Sequence, residues 1–280
     1  MKKSAKLIAV SLVLALLLPL FSASAGAAST DHMTQEEILD AIISGSDYLV
    51  GDGVPLGIES GVMPAWTGGG NNHTHQYITS YAFRVLSNDK SSSYQWYINL
   101  GAIPGILEGS DLPDKDETEN LYERHFYDPT TGLNYRNNSN CARYWFFTHY
   151  QNAISAFNAG NYTQAWERLG RAIHYLGDMN TPHHAANLPA PGSNHVAFEE
   201  QIDHNRTRYS ATSAGTKYNT AITSLPVICA QNAKNHLSDA TSIDDLTTYE
   251  PWLRAGDNTV PFAMQYTAVV LYHFHQAVTA

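Results

Sequence analysis

Apolar residues recur at spacings of three and four along most of the chain after residue 73, and this helical period limits the fold more than any other feature. Segments with the strict alternation of a half-buried strand are absent from the sequence. The period predicts helices over about 74–86, 141–157, 162–181, 195–209, 226–237 and 261–274. We therefore predict an all-α fold, a single multi-helix domain with long loops, of which residues 101–140 form the longest.

The first 28 residues have the three parts of a secretory signal peptide. Lys2, Lys3 and Lys6 precede an apolar run over residues 7–21, and small residues follow that run. The run is shorter than the roughly 20 apolar residues that a membrane-spanning helix needs. We expect residues 1–28 to be removed and the protein to be secreted and extracellular.

Charge and cysteine content exclude several classes of protein. The chain holds 26 Asp and Glu against 16 Lys and Arg, and its net charge of −10 argues against a nucleic-acid partner. Cys141 and Cys229 are its two cysteines, too few for a disulfide-stapled miniature or a cysteine-based zinc ribbon. Their spacing leaves both a disulfide and two separate buried thiols open.

Histidines placed four residues from a carboxylate are the strongest sign of chemistry. His174 and Asp178 share one face of a predicted helix, His195 and Glu199 repeat the spacing on the next helix, and His184 lies between the two pairs. One such pair alone is usually a surface ion pair, but five such residues within 26 positions are not. Imidazole and carboxylate without thiolate are typical of catalytic zinc, so we predict more than one metal ion in the helical domain.

Two strings in the sequence resemble the secreted bacterial zinc-dependent phospholipases C. One is HYLGDMNTPHHAAN over residues 174–187, the other is RHFYDP over residues 124–129, and the likeness extends from Trp66 to near the C-terminus. The resemblance implies an all-helical domain over residues 66–280 that encloses three zinc ions. It also implies hydrolysis of glycerophospholipids to diacylglycerol and a phosphorylated headgroup, during transient contact with a membrane surface.

The resemblance further assigns the zinc ligands. Asp111 stands 14 residues before His125, as the family spacing requires, and is either a ligand only or also the group that orients or deprotonates the attacking water. The implied ligands are Asp111, His125, His174 and Asp178 for one ion; His184, His195 and Glu199 for a second; and His75, Asp178 and the terminal amine and carbonyl of Trp66 for the third.

The expected role of Trp66 changes the interpretation of residues 29–65. These residues carry seven acidic side chains and no Lys or Arg, and by composition alone they read as an acidic amphipathic helix and a linker of the domain. An amide nitrogen inside a chain binds zinc poorly, whereas a terminal amine can deprotonate onto a metal. We therefore expect residues 29–65 to be an acidic pro-segment that a maturation protease removes by cleaving between Ala65 and Trp66.

The resemblance is incomplete where the lipid headgroup would bind. Choline-preferring members have an acidic residue three positions after the terminal Trp, an aromatic residue after the Asp ligand, and another three before the first His of the RHFYDP string. Here these positions hold Gly69, Leu112 and Tyr122. Tyr122 is the candidate substrate-binding residue, and a complete cation pocket is not predicted.

Two other functions stay open on the sequence. A secreted single-strand-specific zinc nuclease of the related fold shares the initial Trp and a similar His and Asp arrangement, but it needs stacking slots and a basic groove. A non-catalytic zinc-binding protein would hold the metal and cleave neither lipid nor nucleic acid. Assays on mixed lipid vesicles and on single-stranded DNA separate these functions.

Overall fold

A computed structural model describes residues 33–45, 74–190, 192–244 and 247–280. Within these ranges the Asp128–Leu133 bridge is the sole β-pairing, and no strand is found. The all-α prediction is confirmed. The helices are α1 (Gln35–Ile43), α2 (Thr74–Asp89), α3 (Ser91–Asn99), α4 (Ile103–Gly109), α5 (Leu112–Asp116), α6 (Glu119–Tyr122), α7 (Ala142–Asn158), α8 (Tyr162–Asp178), α9 (Pro182–Ala185), α10 (His195–His204), α11 (Leu225–Asn235), α12 (Leu237–Ala240) and α13 (Glu250–Thr279).

Helix α8 packs against α7 and α4, and one glycine on each of α8 and α4 allows these two helices to approach closely. A Cβ atom on Gly170 would lie 2.4 Å from the carbonyl oxygen of Ile106, and one on Gly109 would lie 2.4 Å from that of Glu167. Both positions therefore require glycine for the two backbones to touch. The contact holds the end of α4, and the residues that follow it, beside the half of α8 that carries His174.

Helix α13 packs against α2, α3, α7, α8, α10, α11 and α12. Aromatic rings join several of these helices in one core: the ring of Trp166 lies 5.8 Å from Trp96, 5.6 Å from Phe157 and 6.1 Å from Phe274. Such ring pairs add to the stabilisation that comes from burial alone. The aromatic core therefore connects α3, α7, α8 and α13. The histidines of the candidate site lie at the ends of α2, α8 and α10.

The helix predicted to open at Pro261 begins at Glu250 instead, and Pro261 lies inside it. A proline in a helix removes one backbone hydrogen bond and normally ends or kinks the helix. Here Val260 and Ala263 beside it are buried in the core, and their packing keeps the segment helical. The predicted boundary was wrong because tertiary packing outweighed the local preference of proline.

Residues 101–140 were predicted as one long loop, but they contain α4, α5 and α6 and a 3₁₀ turn over Glu123–His125. The three helices have between four and seven residues, too few to show a helical period in the sequence. The predicted helix over 195–209 ends as α10 at His204, and a separate 3₁₀ turn covers Arg206–Arg208. The short elements matter because they carry part of the site.

Cys141 and Cys229 are both buried and both free, so the two thiols do not form a disulfide in this fold. The proposed signal peptide, Trp66 and Gly69 lie outside the described residues. Among the helices that the structure describes, none combines the length and the apolar character needed to cross a bilayer.

Candidate metal centre

Helix α8 brings His174 and Asp178 together at its C-terminal end. The spacing of four places both on the face turned towards α4 and α5, where each is buried. The Nε2 atom of His174 lies 3.2 Å from the carboxylate of Asp178, and its Nδ1 atom lies 2.8 Å from the carbonyl oxygen of Ser110. A carbonyl on one ring nitrogen fixes the tautomer and leaves the other nitrogen available to a metal.

A first group of potential ligands combines Asp114, His125 and His174. The Nδ1 atom of His125 lies 3.1 Å from Nε2 of His174 and 3.4 Å from Oδ1 of Asp114, and His174 Nε2 lies 3.5 Å from the same oxygen. Ligands about 2.1 Å from a tetrahedral zinc ion stand roughly 3.4 Å from each other. The group therefore has the spacing that such an ion requires.

Asp111 does not belong to any of the groups found among the described residues, and Asp114 stands where the sequence analysis expected Asp111. Asp111 precedes α5, and its Oδ2 atom accepts a hydrogen bond of 2.7 Å from Nε2 of Gln76. The short helix α5 then turns Asp114 towards His125 and His174. The expectation for Asp111 rested on the family spacing to His125, and that spacing does not show which carboxylate the short helix α5 turns towards the histidines.

A second group consists of His184, His195 and Glu199. One oxygen of Glu199 lies 3.1 Å from Nε2 of His184 and 2.9 Å from Nε2 of His195. The Nδ1 atom of His184 lies 2.8 Å from the carbonyl oxygen of His125, which orients the ring. Because His195 and Glu199 are four apart on α10, a single helix face supplies both.

His75, His174 and Asp178 form a third group, which shares His174 with the first group. The His75 ring stacks on that of His174 with centroids 4.1 Å apart, and its Nε2 atom lies 3.7 Å from Oδ1 of Asp178. Gly177 makes this approach possible, since a Cβ atom there would lie 2.8 Å from Nδ1 of His75. Trp66, the further ligand expected beside His75, lies outside the described residues.

The two oxygens of Asp178 face different histidines. Its Oδ2 atom lies 3.0 Å from Nδ1 of His125 and 3.2 Å from Nε2 of His174. Its Oδ1 atom lies 3.5 Å from Nδ1 of His184 and 3.7 Å from Nε2 of His75. One carboxylate thus contacts all three groups, which is the arrangement that a bridging ligand requires.

Buried polar atoms in these groups fit the presence of metal ions. Within the described part of the chain, both oxygens of Asp114 are buried and make no hydrogen bond. Leaving such atoms unsatisfied in a protein interior costs about 1–3 kcal/mol each. Nitrogen and carboxylate oxygen atoms without thiolate are the donors that catalytic zinc takes, so the residues fit that ion.

Burial and neighbouring charges shift the pKa values of the carboxylates and histidines in the centre. Burial would raise the pKa of Asp178, but His174, His184 and His125 together hold it well below its usual value. Burial would lower the pKa of His174, yet Asp178 and Asp114 raise it to about 10. Burial raises the pKa of Asp114 to about 6. In the absence of a metal the centre therefore retains protons that a bound cation would displace.

Tyr122, the candidate substrate residue, lies beside the first group in a strained turn. Asn120, Leu121 and Tyr122 have positive φ angles of 52°, 60° and 61°, which are costly for residues other than glycine. The hydroxyl of Tyr135 lies 2.7 Å and 2.9 Å from the carbonyl oxygens of Asn120 and Leu121 and so holds the turn. The Tyr122 ring lies 5.4 Å from that of His125. Leu112, the other described headgroup position, begins α5.

Two supporting residues of the site were not found from the sequence. Glu117 accepts hydrogen bonds from the hydroxyl of Tyr175 at 2.6 Å and from Arg171 at 2.7 Å. Arg171 also binds Asp116 through two bonds of 2.7 Å and 2.6 Å. These contacts attach the end of α5 to α8. The acidic run over 114–119 was the available signal, but in sequence it reads as a solvated loop.

Comparison with known proteins identifies the family of this chain. A sequence profile described as zinc dependent phospholipase C matches residues 74–252, and this range contains every described candidate ligand. The chain belongs to this family. The family is zinc-dependent, which agrees with the donor atoms of the three groups.

Individual relatives match somewhat more than half of the chain. Phospholipase C of Paraclostridium bifermentans is 34% identical over 173 residues, which are 55% of this chain and 44% of that protein. Phospholipase C of Clostridium perfringens is 34% identical over 179 residues, 56% of this chain and 44% of that protein. The chain therefore spans less than half the length of these two relatives.

Solved structures agree with the fold. The alpha toxin from Clostridium absonum has a TM-score of 0.67 and 25% identity, over 79% of this chain and 66% of the toxin. The alpha-toxin of Clostridium perfringens from an avian strain has a TM-score of 0.65 and 26% identity, over 74% and 64% of the two chains. Both are similar to this chain across its helical body.

Proposed function

We propose that this protein is a secreted zinc phospholipase C that hydrolyses glycerophospholipids to diacylglycerol and a phosphorylated headgroup. The observation that supports it most is the placement of Asp178, whose two oxygens face the histidines of three adjoining buried groups. Adjoining cation sites of this kind suit a phosphodiester, which is anionic and repels nucleophiles. The family to which the chain belongs supports the same reaction.

Three zinc ions would account for all the groups. We propose Asp114 in place of Asp111 as the carboxylate of the first set. The proposed sets are Asp114, His125, His174 and Asp178; His184, His195 and Glu199; and His75, Asp178 and the terminal amine and carbonyl of Trp66.

The protein's own residues prepare the centre for this chemistry. Bound zinc would polarise the phosphodiester and lower the pKa of the attacking water. The carbonyl oxygens of Ser110 and His125 hold the rings of His174 and His184 in one orientation. Ordered ligand rings reduce the reorganisation that the reaction requires.

Asp111 has a positioning role in this proposal rather than that of a ligand. Its hydrogen bond to Gln76 connects the start of α5, which carries Asp114, to the start of α2, which carries His75. Burial raises the pKa of Asp111 to about 7, although Lys115 lowers it in part. Through its hydrogen bond to Gln76, Asp111 connects α5, which carries Asp114 of the first set, to α2, which carries His75 of the third set.

Tyr122 is the residue we propose to contact the substrate. Among the described residues its buried hydroxyl makes no hydrogen bond, and the ring stands beside His125. Burial, followed by Asp114, raises the pKa of Tyr122 to about 12, so the hydroxyl stays neutral and can donate to a phosphate oxygen. A Tyr122→Phe variant should bind substrate more weakly while keeping its zinc.

Export and maturation complete the proposal. Residues 1–28 act as a signal peptide, and cleavage before Trp66 converts a zymogen into an enzyme with a full third set. Protein that begins at Trp66 should be much more active than protein with one extra residue ahead of it, because the extension turns the amine into an amide. Equal activity and equal zinc content of the two forms would remove Trp66 from the site.

The reaction is tested by incubating the purified protein with mixed lipid vesicles and, separately, with single-stranded DNA. We expect release of diacylglycerol and no release of nucleotides, with loss of activity and of bound zinc in Asp178→Ala. Asp257→Asn is the matched control, since Asp257 pairs with Arg208 at the surface. Nucleotide release would favour the nuclease, and zinc binding without either product would favour a zinc-binding protein.

A further inference from the structure

Helix α1 belongs to the segment expected to be removed, yet it is packed into the body of the protein. Ile38, Leu39 and Ile42 are 5%, 0% and 2% exposed, and they lie in the same hydrophobic core as residues of α2 and α4. Residues from Met33 to Ala280 form one compact unit. The helix contributes to the core through the same kind of burial as the helices that carry the site.

Specific polar contacts also hold α1 in place. The side-chain amide of Gln35 donates to the carbonyl oxygen of Ile98 at 2.8 Å and accepts from the backbone N–H of Ile103 at 3.0 Å. Ile98 lies near the end of α3, and Ile103 is the first residue of α4. The bond from Ile103 satisfies a backbone donor at the start of α4 that would otherwise need a new partner.

The two ends of α1 are fixed as well. At the N-terminus Thr34 and Glu37 form a capping box, in which each side chain accepts from the backbone of the other. After the C-terminus Gly45 has a φ of +81°, and a Cβ atom there would lie 2.6 Å from the methyl carbon of Thr207. Arg84 of α2 forms an ion pair with Asp40 on the exposed side.

From these contacts we infer that α1 is a lasting component of the folded protein, and that it stays bound after any cleavage ahead of Trp66. The partner of the surface formed by α2, α3 and α4 is then the fragment that contains residues 33–45. The mature protein would consist of two chains held together without a covalent bond. This inference rests on the proposed cleavage before Trp66 but not on the proposed reaction.

The test uses the full chain with a recognition sequence for a site-specific protease inserted directly before Trp66. The folded protein is cut and passed through gel filtration under native conditions, and the eluted species are identified by mass spectrometry after denaturation. We expect the fragment that carries α1 to elute with the body. Separation of the fragment, whatever then happens to the body, would overturn the inference.

Two neighbouring substitutions show whether the apolar face holds the helix. Leu39→Ala removes a fully buried side chain, whereas Asp40→Ala removes an exposed one whose ion pair contributes little. In the uncut protein we expect Leu39→Ala to lower the melting temperature by about 5 to 15 °C and Asp40→Ala by no more than a few degrees. Equal melting temperatures would also overturn the inference. Neither measurement uses activity or zinc content, so it remains informative if the proposed reaction fails.

Discussion

At the scale of single residues, Asp114 and Asp111 separate two roles that the sequence could not distinguish. Both carboxylates are buried and lie three positions apart, but one faces two histidines and the other a glutamine. We expect Asp114→Asn to lower the affinity for the first zinc ion by at least about 100-fold, because it removes a charged ligand. Asp111→Asn should cost about 10-fold, as loss of a supporting contact does.

The measurement is a zinc titration against a competing chelator, with the number of bound ions determined alongside. A wild-type affinity in Asp114→Asn together with a large loss in Asp111→Asn would return Asp111 to the set of ligands. Asp239→Asn, a change to a half-buried carboxylate that pairs with Arg254 away from the candidate site, serves as the control.

Gly177 is a second residue whose role is decided by distance. A methyl group at this position would stand 2.8 Å from the His75 ring, so Gly177→Ala should push that ring away from Asp178. We expect loss of the third ion and a decrease of about 1–3 kcal/mol in the free energy of unfolding. Metal analysis and denaturant unfolding measure the two effects.

Ala172→Gly provides the comparison for this variant. It lies in the same helix, is buried, and should be destabilised by about 1 kcal/mol or more without any clash at His75. If both variants kept three ions, the close approach at Gly177 would not matter for the site.

Four candidate ligands follow from the sequence because they lie in helical pairs with a fixed geometry, whereas His75 and His125 were expected from the family resemblance. His174 with Asp178 and His195 with Glu199 share a helix face wherever the helix runs, so their proximity follows from spacing alone. Asp114 lies on a helix of five residues whose direction depends on α4 and α8, and no local pattern encodes that direction. Gly177 can be read from the sequence, but its role depends on the His75 ring, which lies on another helix.

At the scale of elements, the short helix α5 depends on α8 for its position. Arg171 is almost fully buried and joins Asp116 and Glu117 to α8. We expect Arg171→Lys to lower the affinity for the first zinc ion by about 10- to 100-fold, because a point charge cannot replace the two-bond contact and α5 loses its anchor. The measurement is again a titration against a chelator.

A surface pair of the same chemistry is the matched control. Arg254 binds Asp239 through bonds of 2.9 Å and 2.7 Å at an exposed position. Arg254→Lys should change neither zinc affinity nor the melting temperature by a measurable amount. An Arg171→Lys protein that binds zinc like the wild type would show that α5 keeps its position without this anchor.

The elements themselves were predictable in proportion to their length. The two seventeen-residue helices α7 and α8 hold several turns of apolar period and were found in the sequence, whereas α4, α5 and α6 were not. The helix start predicted at Pro261 was wrong because α13 is held by the helices packed around it. Whether a short helix forms, and whether a proline ends a helix, depends on neighbours that are distant in sequence.

At the scale of the whole molecule, the buried charges predict how pH acts on the metal-free protein. The pKa values of His174 and His184 are raised from 6.5 to about 10 and about 9, because Asp178 outweighs the effect of burial at both. A raised histidine pKa contributes stability that is fully present below pH 6.5 and is lost as pH rises through the folded value. The metal-free protein should therefore become less stable between about pH 6.5 and 10.

Zinc should reverse this trend, since it replaces the same protons. We expect the increase in melting temperature on zinc addition to grow from pH 6.5 to 9, with calorimetry or circular dichroism on chelator-treated and reloaded protein as the measurement. An increase of equal size at both pH values would show that the ions do not compete with these protons.

The position of α13 in the chain has a consequence for how the protein reaches its folded state. The helix packs against α2, although Asp89 at the end of α2 and Glu250 at the start of α13 are 161 positions apart. Contacts that span such long stretches of chain are formed slowly, because the entropy of loop closure is lost before they contribute. A ribosome would complete the other described helices before α13. We therefore expect His75 on α2 to reach its final position only after α13 has been synthesised. Binding of a metal ion at His75 should then follow the synthesis of α13.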